Sequence, residues 1–270
     1  MSKRCGNCEQ FASLPRERIL MIVLTFSHKN GTIKTAQIFC KKEEKMKKQA
    51  YFIAFFVFFS LFIVFTVLLK IVDVRAVGPF GGFVGFASLN VSFRDLVGVH
   101  TFWYHLTQVL GYVAILLGFS FGVLGAAEWI ARKSLKAVDA ELLLSGALYV
   151  LLGIAYVLFE VVVINERPVA LSDHPEASYP SSHTVLALSV FLAAIAVWRK
   201  LLPDTARRAP ISAGLIVLAA LALVGRLLSG VHWLTDIIGG VLLSGALVSL
   251  YFAVLTVHNE KKENLIQNEN

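Results

Sequence analysis

Residues 51–69 read YFIAFFVFFSLFIVFTVLL, nineteen residues without a charged side chain. A helix needs about 20 mainly apolar residues to cross a hydrocarbon core about 30 Å thick, so this run is long enough for one span. Only helices or closed barrels satisfy every backbone hydrogen bond in lipid, and the sequence lacks strands that alternate polar and apolar residues. The run therefore predicts a transmembrane helix in a helical bundle.

The rest of the chain repeats this character. Of its 270 residues 57% are hydrophobic and 16% charged, and the mean hydropathy is +0.71, whereas soluble domains hold about 45–50% apolar residues. Five further apolar segments follow: His105–Ile130, Leu142–Ile164, His183–Leu202, Ile211–Leu228 and Leu234–Val257. We predict an all-α polytopic bundle of six transmembrane helices, with a short interfacial helix near Val91–Thr101 between the first and second.

Three regions follow from this layout. Residues 46–257 are the predicted membrane domain, and residues 258–270 form a polar tail that we expect in the cytoplasm. Residues 1–45 are polar, and Met46-Lys47-Lys48 leads straight into the first span. We expect residues 1–45 to be an upstream extension that is not native or is poorly ordered; the alternative is a small cytoplasmic appendage.

The cysteines add no site to the membrane domain. Cys5, Cys8 and Cys40 all lie before the first span. Cys5 and Cys8 have zinc or redox spacing, but a zinc site needs about four ligands and only Cys40 and His28 are near. An accidental pair is the favoured interpretation.

The basic residues indicate the orientation. The net charge is +7, and its carriers lie in loops beside the spans, which is typical of cytoplasmic loops. No basic face interleaved with aromatic residues is present, so we expect no nucleic-acid partner. With six spans both termini are predicted in the cytoplasm. The basic loops contain Lys45, Lys47 and Lys48; Arg132, Lys133 and Lys136; Arg199, Lys200, Arg207 and Arg208; and Lys261 and Lys262.

Three polar clusters lie at the ends of the spans that face away from the basic loops. They are Arg167-Pro168, Pro180-Ser181-Ser182-His183, and Arg226 with His232 and Asp236. An arginine at mid-bilayer costs about 2.5–3.5 kcal/mol on insertion scales, so charged groups gathered at one membrane surface indicate a function. We interpret them as a site for phosphate-ester chemistry, which needs fixed positive donors, a nucleophile and an acid.

The residue types fit that chemistry. Arg167 and Arg226 offer bidentate forks for phosphate oxygens, and the N-terminus of the fourth span is an anion seat. Ser181 or Ser182 is predicted to cap that helix or to donate a hydroxyl. His232 and Asp236 are four residues apart and share a face if the sixth helix has begun by His232.

The clusters resemble the pattern of the type 2 phosphatidic acid phosphatase superfamily, which is K-x6-R-P, P-S-G-H and S-R-x5-H-x3-D. The three clusters occur in the same order along this chain, and the spacings from Arg226 to His232 and from His232 to Asp236 are those of the third element. The resemblance implies that His232 is a nucleophile forming a phosphohistidine, that Asp236 orients it, and that His183 is the acid for the leaving group. It also implies that Arg167 and Arg226 bind phosphate and that no metal or cofactor is needed.

Three positions depart from the pattern. Ser182 and Gly225 replace a glycine and a serine, which are small-for-small changes, but Glu160 stands where the family has lysine. Glu160 would repel phosphate unless it pairs with Arg167 or Arg226, stays protonated or points elsewhere. Phosphate affinity and substrate choice depend on which of these holds.

The resemblance implies a phosphatase of membrane lipid phosphates or diphosphates, such as undecaprenyl diphosphate, phosphatidate or phosphatidylglycerol phosphate. The compact size favours a bacterial plasma membrane, with the site on the outer face. The alternatives are a non-catalytic member that binds lipid phosphate and an anion transporter. Tyr179 and Trp233 adjoin the motifs and are predicted to be interfacial belt residues that could touch substrate.

Overall fold

The computed structural model describes residues 29–202 and 204–268, and their side chains except at residues 29–42, 205 and 266–268. Contacts divide the chain into two units, Met1–Lys47 and Lys48–Asn270. Of the predicted extension 1–45, residues 29–45 are helical, and the rest lies outside the described residues.

Seven α-helices make up most of the described part. They are α1 (Lys29–Leu69), α2 (Ala87–Val97), α3 (Thr101–Arg132), α4 (Ala140–Val161), α5 (Ser182–Leu201), α6 (Thr205–Leu228) and α7 (Leu234–Asn268). A two-residue antiparallel ladder pairs β1 (Arg75–Ala76) with β2 (Phe83–Val84), and a 3-10 turn spans Leu135–Ala137.

Six of these helices are long and apolar enough to cross a membrane. The qualifying stretches are Glu43–Leu69, Thr101–Arg132, Ala140–Val161, Ser182–Leu201, Ala206–Leu228 and Leu234–Leu265. The predicted fold, a polytopic bundle of six transmembrane helices, is confirmed. The short helix between the first two spans is also present as α2.

Several element ends differ from the predicted ones by a few residues, and two of the differences have a clear physical reason. The short helix ends at Val97 rather than continuing to Thr101, because Gly98 follows with a φ of +74°, a conformation that glycine adopts without strain. The third span ends at Val161 rather than Ile164. The carbonyls of Val163 and Ile164 lie outside the helix and accept hydrogen bonds from Lys70 Nζ at 3.0 and 3.1 Å.

The core of unit Lys48–Asn270 lies around α5. In its membrane-crossing stretch 56% of residues are buried, against 11% for α1. Phe191, Ala193 and Ala194 of α5 are completely buried, and α5 packs against α4, α6 and α7. Small side chains allow this close packing of helices. The outer helices expose apolar side chains, as expected of helices surrounded by lipid.

The loop between α4 and α5 folds back on itself. The backbone N–H of Arg167 donates to Glu176 O at 3.2 Å, and Ser178 N–H donates to Asn165 O at 2.9 Å. The loop ends in a cis peptide bond between Tyr179 and Pro180. This hairpin places Arg167 opposite Glu176 and Ser178 opposite Asn165.

Candidate active site

The turn between α6 and α7 delivers His232. Gly230 has a φ of +70°, and a Cβ there would lie 2.1 Å from the carbonyl oxygen of Gly98. No other residue fits this close approach without moving the backbone. The turn is held further by His100 N–H, which donates to Ser229 O at 3.2 Å. The turn that leads to His232 is therefore fixed against the residues just before α3.

Helix α7 begins after His232, at Leu234. The condition under which His232 and Asp236 would share a helical face, that the helix has begun by His232, is therefore not met. Asp236 is the third residue of α7, and its Oδ2 accepts the backbone N–H of Trp233 at 2.9 Å, which is half of a capping box. Because the carboxylate caps the helix start, the chain bends before Trp233. His232 Nδ1 and Asp236 Oδ2 still lie 3.6 Å apart.

The carboxylate of Asp236 is completely buried. Besides the Trp233 N–H it accepts two side-chain donors. Asn165 Nδ2 donates to Oδ1 at 3.0 Å and Ser178 Oγ donates to Oδ2 at 2.5 Å. A buried charge is expensive unless hydrogen bonds satisfy it, and three donors meet that requirement.

Both nitrogens of the His232 ring have defined neighbours. Nδ1 lies 3.0 Å from Ser178 Oγ. Nε2 lies 3.4 Å from Arg167 Nη1 and 3.2 Å from Arg226 Nη2. A guanidinium has donors only, so Nε2 must present its lone pair and Nδ1 carries the hydrogen. Burial, followed by the charges of Arg226 and Arg167, holds the pKa of His232 well below its ordinary value.

The two arginines reach His232 from different settings. Arg226 is buried, and its Nη1 donates to Thr107 Oγ1 at 3.3 Å, while its guanidinium lies 5.7 Å from the centroid of the Tyr104 ring. Arg167 is partly exposed and pairs with a carboxylate, with 2.9 Å between Nε and Glu176 Oε2. Together they concentrate two positive charges on one side of the imidazole.

A cavity of about 890 Å³ adjoins this cluster. Its polar end is lined by Arg167, His183, His232 and Ser182. Its apolar wall comes from α3, α4 and α5 and includes Ile115, Phe119, Leu152, Tyr156, Phe159 and Leu186. Several of these side chains are exposed, as at Ile115 and Tyr156, so this end of the cavity reaches the protein surface.

His183 stands on the first turn of α5, where α3 comes close. A Cβ at Gly111 would lie 3.0 Å from His183 Cδ2. The buried Nδ1 of His183 has no hydrogen-bond partner within the described chain. The ring thus shares the cavity with His232 and keeps a nitrogen free for a ligand.

The two serines predicted to belong to the site occupy different positions. Ser182 lines the cavity, but Ser181 does not. Ser181 is completely buried at the N-cap position of α5 and makes no side-chain cap. Its Oγ accepts from Thr184 Oγ1 at 3.0 Å, and its N–H donates to Asp236 O at 3.0 Å. The predictions that Ser181 caps the helix through its side chain or offers phosphate a hydroxyl are therefore not met.

Glu160 lies at the end of α4, is exposed and lines the cavity. Neither arginine of the site pairs with it, since the carboxylate beside Arg167 belongs to Glu176. Of the placements considered for Glu160, an ion pair with Arg167 or Arg226 is excluded by the geometry.

A family model described as PAP2 superfamily matches residues 142–260, from α4 into α7. This segment is therefore similar to the PAP2 superfamily. All three polar clusters lie within the match, and the predicted family is confirmed.

One solved structure resembles the helical fold described above. It is described as the crystal structure of the first transmembrane PAP2 type phosphatidylglycerolphosphate phosphatase from Bacillus subtilis. The TM-score is 0.50 and the identity 21%, and the match covers 76% of this chain and 96% of that chain. At this identity the likeness concerns the fold alone. A comparison with curated proteins gave no match.

Three further residues belong to this candidate site and were not predicted from the sequence. Ser178 and Asn165 bind Asp236, and Glu176 pairs with Arg167. Their only sequence signal is position: Ser178 lies two residues before Pro180, and Asn165 two before Arg167.

The aromatic residues beside the motifs are also placed differently from the prediction. Tyr179 and Trp233 are each 1% exposed, so neither is an interfacial belt residue. Tyr179 stacks on Phe62, and Trp233 Nε1 donates to Glu166 O at 2.7 Å. Both hold the loops of the site in place. Tyr179 also lines the cavity.

Within residues 29–202 and 204–268 no group of three or more His, Cys, Asp or Glu side chains is arranged to hold a metal ion.

Proposed function

We propose that this chain is a metal-independent phosphatase of membrane lipid phosphates or diphosphates that acts through a phosphohistidine at His232. Similarity to the PAP2 superfamily supports lipid phosphatase activity in general. The observation that carries the finer proposal is the convergence of two guanidinium groups on the unprotonated Nε2 of His232, at the polar end of a cavity that is otherwise apolar.

The arrangement suits in-line attack on phosphorus. Arg167 and Arg226 now direct their N–H groups at Nε2 itself. A phosphate that takes over these donors would have its oxygens on both forks and its phosphorus next to the nitrogen lone pair. Preorganised donors of this kind stabilise the negative charge of the transition state and shield it from the nucleophile.

The chemical steps balance with the residues at hand. Nε2 of His232 forms a bond to phosphorus while the bond from phosphorus to the departing oxygen breaks, and His183 gives that oxygen a proton. Water then attacks phosphorus while His183 takes up a proton from the water, the bond from phosphorus to Nε2 breaks with its electron pair returning to the imidazole, and inorganic phosphate leaves. His183 lies on the same cavity, which is the position that both proton transfers require.

An amphiphilic substrate suits the cavity. Its charged end is lined by Arg167, His183 and His232, with Arg226 buried behind His232, while the wall along α3 and α4 is apolar and exposed. A lipid phosphate could place its headgroup at His232 and leave its tail along this wall. The candidates are phosphatidate, undecaprenyl diphosphate and phosphatidylglycerol phosphate, the last being the substrate named for the Bacillus subtilis protein of similar fold. The distribution of basic loops supports a plasma membrane location with the site on the outer face.

The test is phosphate release by purified protein in detergent micelles, with the three lipids as substrates. Wild type should release phosphate, and His232→Ala should lose about 10³-fold or more of the rate. The matched control is His258→Ala, which removes an exposed histidine of α7 outside the cavity and should act like wild type.

Three results would contradict parts of the proposal. Equal rates for wild type and His232→Ala would exclude His232 as nucleophile. Lipid binding without release by wild type would favour a non-catalytic binder, and anion flux into proteoliposomes without ester cleavage would favour a transporter. Loss of activity on chelation would overturn metal independence. Vanadate, which resembles five-coordinate phosphorus, should inhibit.

A further inference from the structure

We infer that Ser178 is a positioning residue for the nucleophile, because its hydroxyl makes the hydrogen-bonded connection between Asp236 and His232. This inference rests on the proposed function and adds a residue to it. In this chain the carboxylate and the imidazole are not directly bonded, and the serine lies between them.

The interatomic distances show that His232 and Asp236 are connected through Ser178 and not directly. His232 Nδ1 and Asp236 Oδ2 lie 3.6 Å apart, which is too long for a hydrogen bond. Ser178 Oγ lies 3.0 Å from Nδ1 and 2.5 Å from Oδ2. Ser178 is buried, at 2% exposure, and lines the polar end of the cavity, so its hydroxyl is held by protein contacts rather than by exposure at the surface. The carboxylate therefore acts on the ring through the hydroxyl.

The chain of hydrogen bonds can run in one direction only. Arg167 and Arg226 donate to Nε2, which leaves the ring hydrogen on Nδ1. Nδ1–H then faces Ser178, whose Oγ lies 3.0 Å away and whose backbone also hydrogen-bonds to the ring, and the serine gives its own hydrogen to Asp236 Oδ2. This order fixes the tautomer whose Nε2 lone pair can attack.

The bridge also assists the attack itself. As the bond from Nε2 to phosphorus forms, positive charge develops on the imidazole and strengthens Nδ1–H as a donor. The serine passes the attraction of the carboxylate to that hydrogen, and no proton has to leave the ring. Hydrogen-bond chains in a buried site reinforce one another in this way.

The fold places Ser178 before any substrate arrives. Its backbone N–H donates to Asn165 O at 2.9 Å. The next residue, Tyr179, is buried and shares a hydrogen bond with Thr66, with 2.7 Å between the hydroxyl oxygens. Asn165 in turn binds the other oxygen of Asp236 at 3.0 Å. Serine and carboxylate are thus held in one rigid network.

A double-mutant cycle on phosphate release tests the inference. Ser178→Ala should lower kcat about 10- to 100-fold with KM changed less than about threefold. Asp236→Asn should lower kcat about 10²- to 10³-fold. In the Asp236→Asn background Ser178→Ala should cost less than about threefold, because the bridge no longer leads to a carboxylate.

A purely structural role of Ser178 gives a different result. The two losses would then multiply in the double variant, and that result would overturn the inference. Ser178→Thr keeps the hydroxyl and should retain at least about a third of wild-type kcat; activity as low as that of the alanine variant would also contradict it. Ser244→Ala is the matched control. Ser244 is a buried serine of α7 whose hydroxyl donates to Gly240 O at 2.8 Å, outside the cavity.

The pH profile supplies a readout that packing defects do not move. Arg167, Arg226, His183 and Asp236 are the charged and titratable groups around His232. Ser178→Ala should shift the acidic limb of kcat, whereas Ser244→Ala should leave it in place, and identical limbs would contradict the bridge. If His232→Ala retains wild-type activity, the proposed function itself fails. Wild-type activity in Ser178→Ala with an inactive His232→Ala refutes the bridge alone.

Discussion

The two ends of the cavity are built in opposite ways. At the polar end Ser178 lines the cavity, Arg226 and Asp236 lie behind it, and all three are nearly or completely buried and tied by hydrogen bonds from two loops and three helices. At the apolar end Ile115 and Tyr156 are more than half exposed and belong to single helices. Rigid, buried groups favour strict recognition and catalysis, whereas an open apolar wall accepts many shapes. We therefore expect strict demands on the phosphate and loose demands on the lipid tail.

The largest effect should come from the polar end. Arg226→Gln removes a buried guanidinium that contacts Nε2 of His232 and has no carboxylate partner in the described structure. We expect kcat/KM for a lipid phosphate to fall about 10³-fold, as for loss of a preorganised donor to transition-state charge. Arg199→Gln, an exposed arginine at the other end of α5, is the control. A decrease of less than about threefold in Arg226→Gln would remove this arginine from the site.

A smaller and more selective effect should come from the apolar wall. Gly153 of α4 lines the cavity, and a Cβ there meets no atom within 4 Å, so Gly153→Leu can fold and narrow the cavity. We expect KM for a long-chain lipid phosphate to rise about tenfold, with little change for a short soluble phosphate ester. Equal effects on both substrates would argue against a tail along this wall.

Gly146→Leu is the matched control for this experiment. Gly146 lies two turns earlier on α4, is equally open to a side chain, and does not line the cavity. Its kinetics should match wild type for both substrates.

His232, at the polar end, should also make the free energy of unfolding depend on pH. The pKa of His232 is well below its ordinary value of 6.5, so the folded chain stays unprotonated there when the unfolded chain takes up a proton. The free energy of unfolding should therefore fall as pH drops below 6.5, by up to about 1.4 kcal/mol per pH unit. Thermal unfolding of the ligand-free protein between pH 7.5 and 5, compared with His232→Gln, measures this term. Parallel curves for the two proteins would contradict it.

The smallest effect is expected at Glu160, between the two ends. It is exposed, lines the cavity and carries a charge that repels a phosphate dianion through solvent. Glu160→Gln should raise kcat/KM about two- to threefold at low salt, and the gain should shrink as salt increases. Unchanged activity would mean that this side chain does not act on the bound phosphate.

The sequence predicted the parts of this fold that depend on long-range composition. Apolar runs of membrane length predicted six spans, and the order of the polar clusters along alternating spans predicted that Arg167, Arg226 and His232 would meet. Both predictions hold because a chain in lipid must satisfy its backbone hydrogen bonds internally, which restricts each apolar segment to a membrane-spanning helix. The spacing of four residues between His232 and Asp236 also predicted their proximity.

Details of the site depended on geometry that spacing does not encode. Asp236 caps its own helix, so His232 lies outside α7 rather than on its face. Ser178 belongs to the site because the loop after α4 folds back and brings it against Asn165. No pattern of residues in the sequence predicts that hairpin. Ser181, although part of the motif, is directed into the core by Thr184.

The most direct test of the account is to trap the phosphorylated enzyme. Wild-type protein mixed with a phosphate-labelled lipid and quenched in alkali should carry the label on His232, as located by mass spectrometry of its peptides, and the bond should be labile to acid. His232→Ala should carry none. Label on another residue, or turnover by wild type with no trapped intermediate and undiminished turnover by His232→Ala, would contradict the central claim.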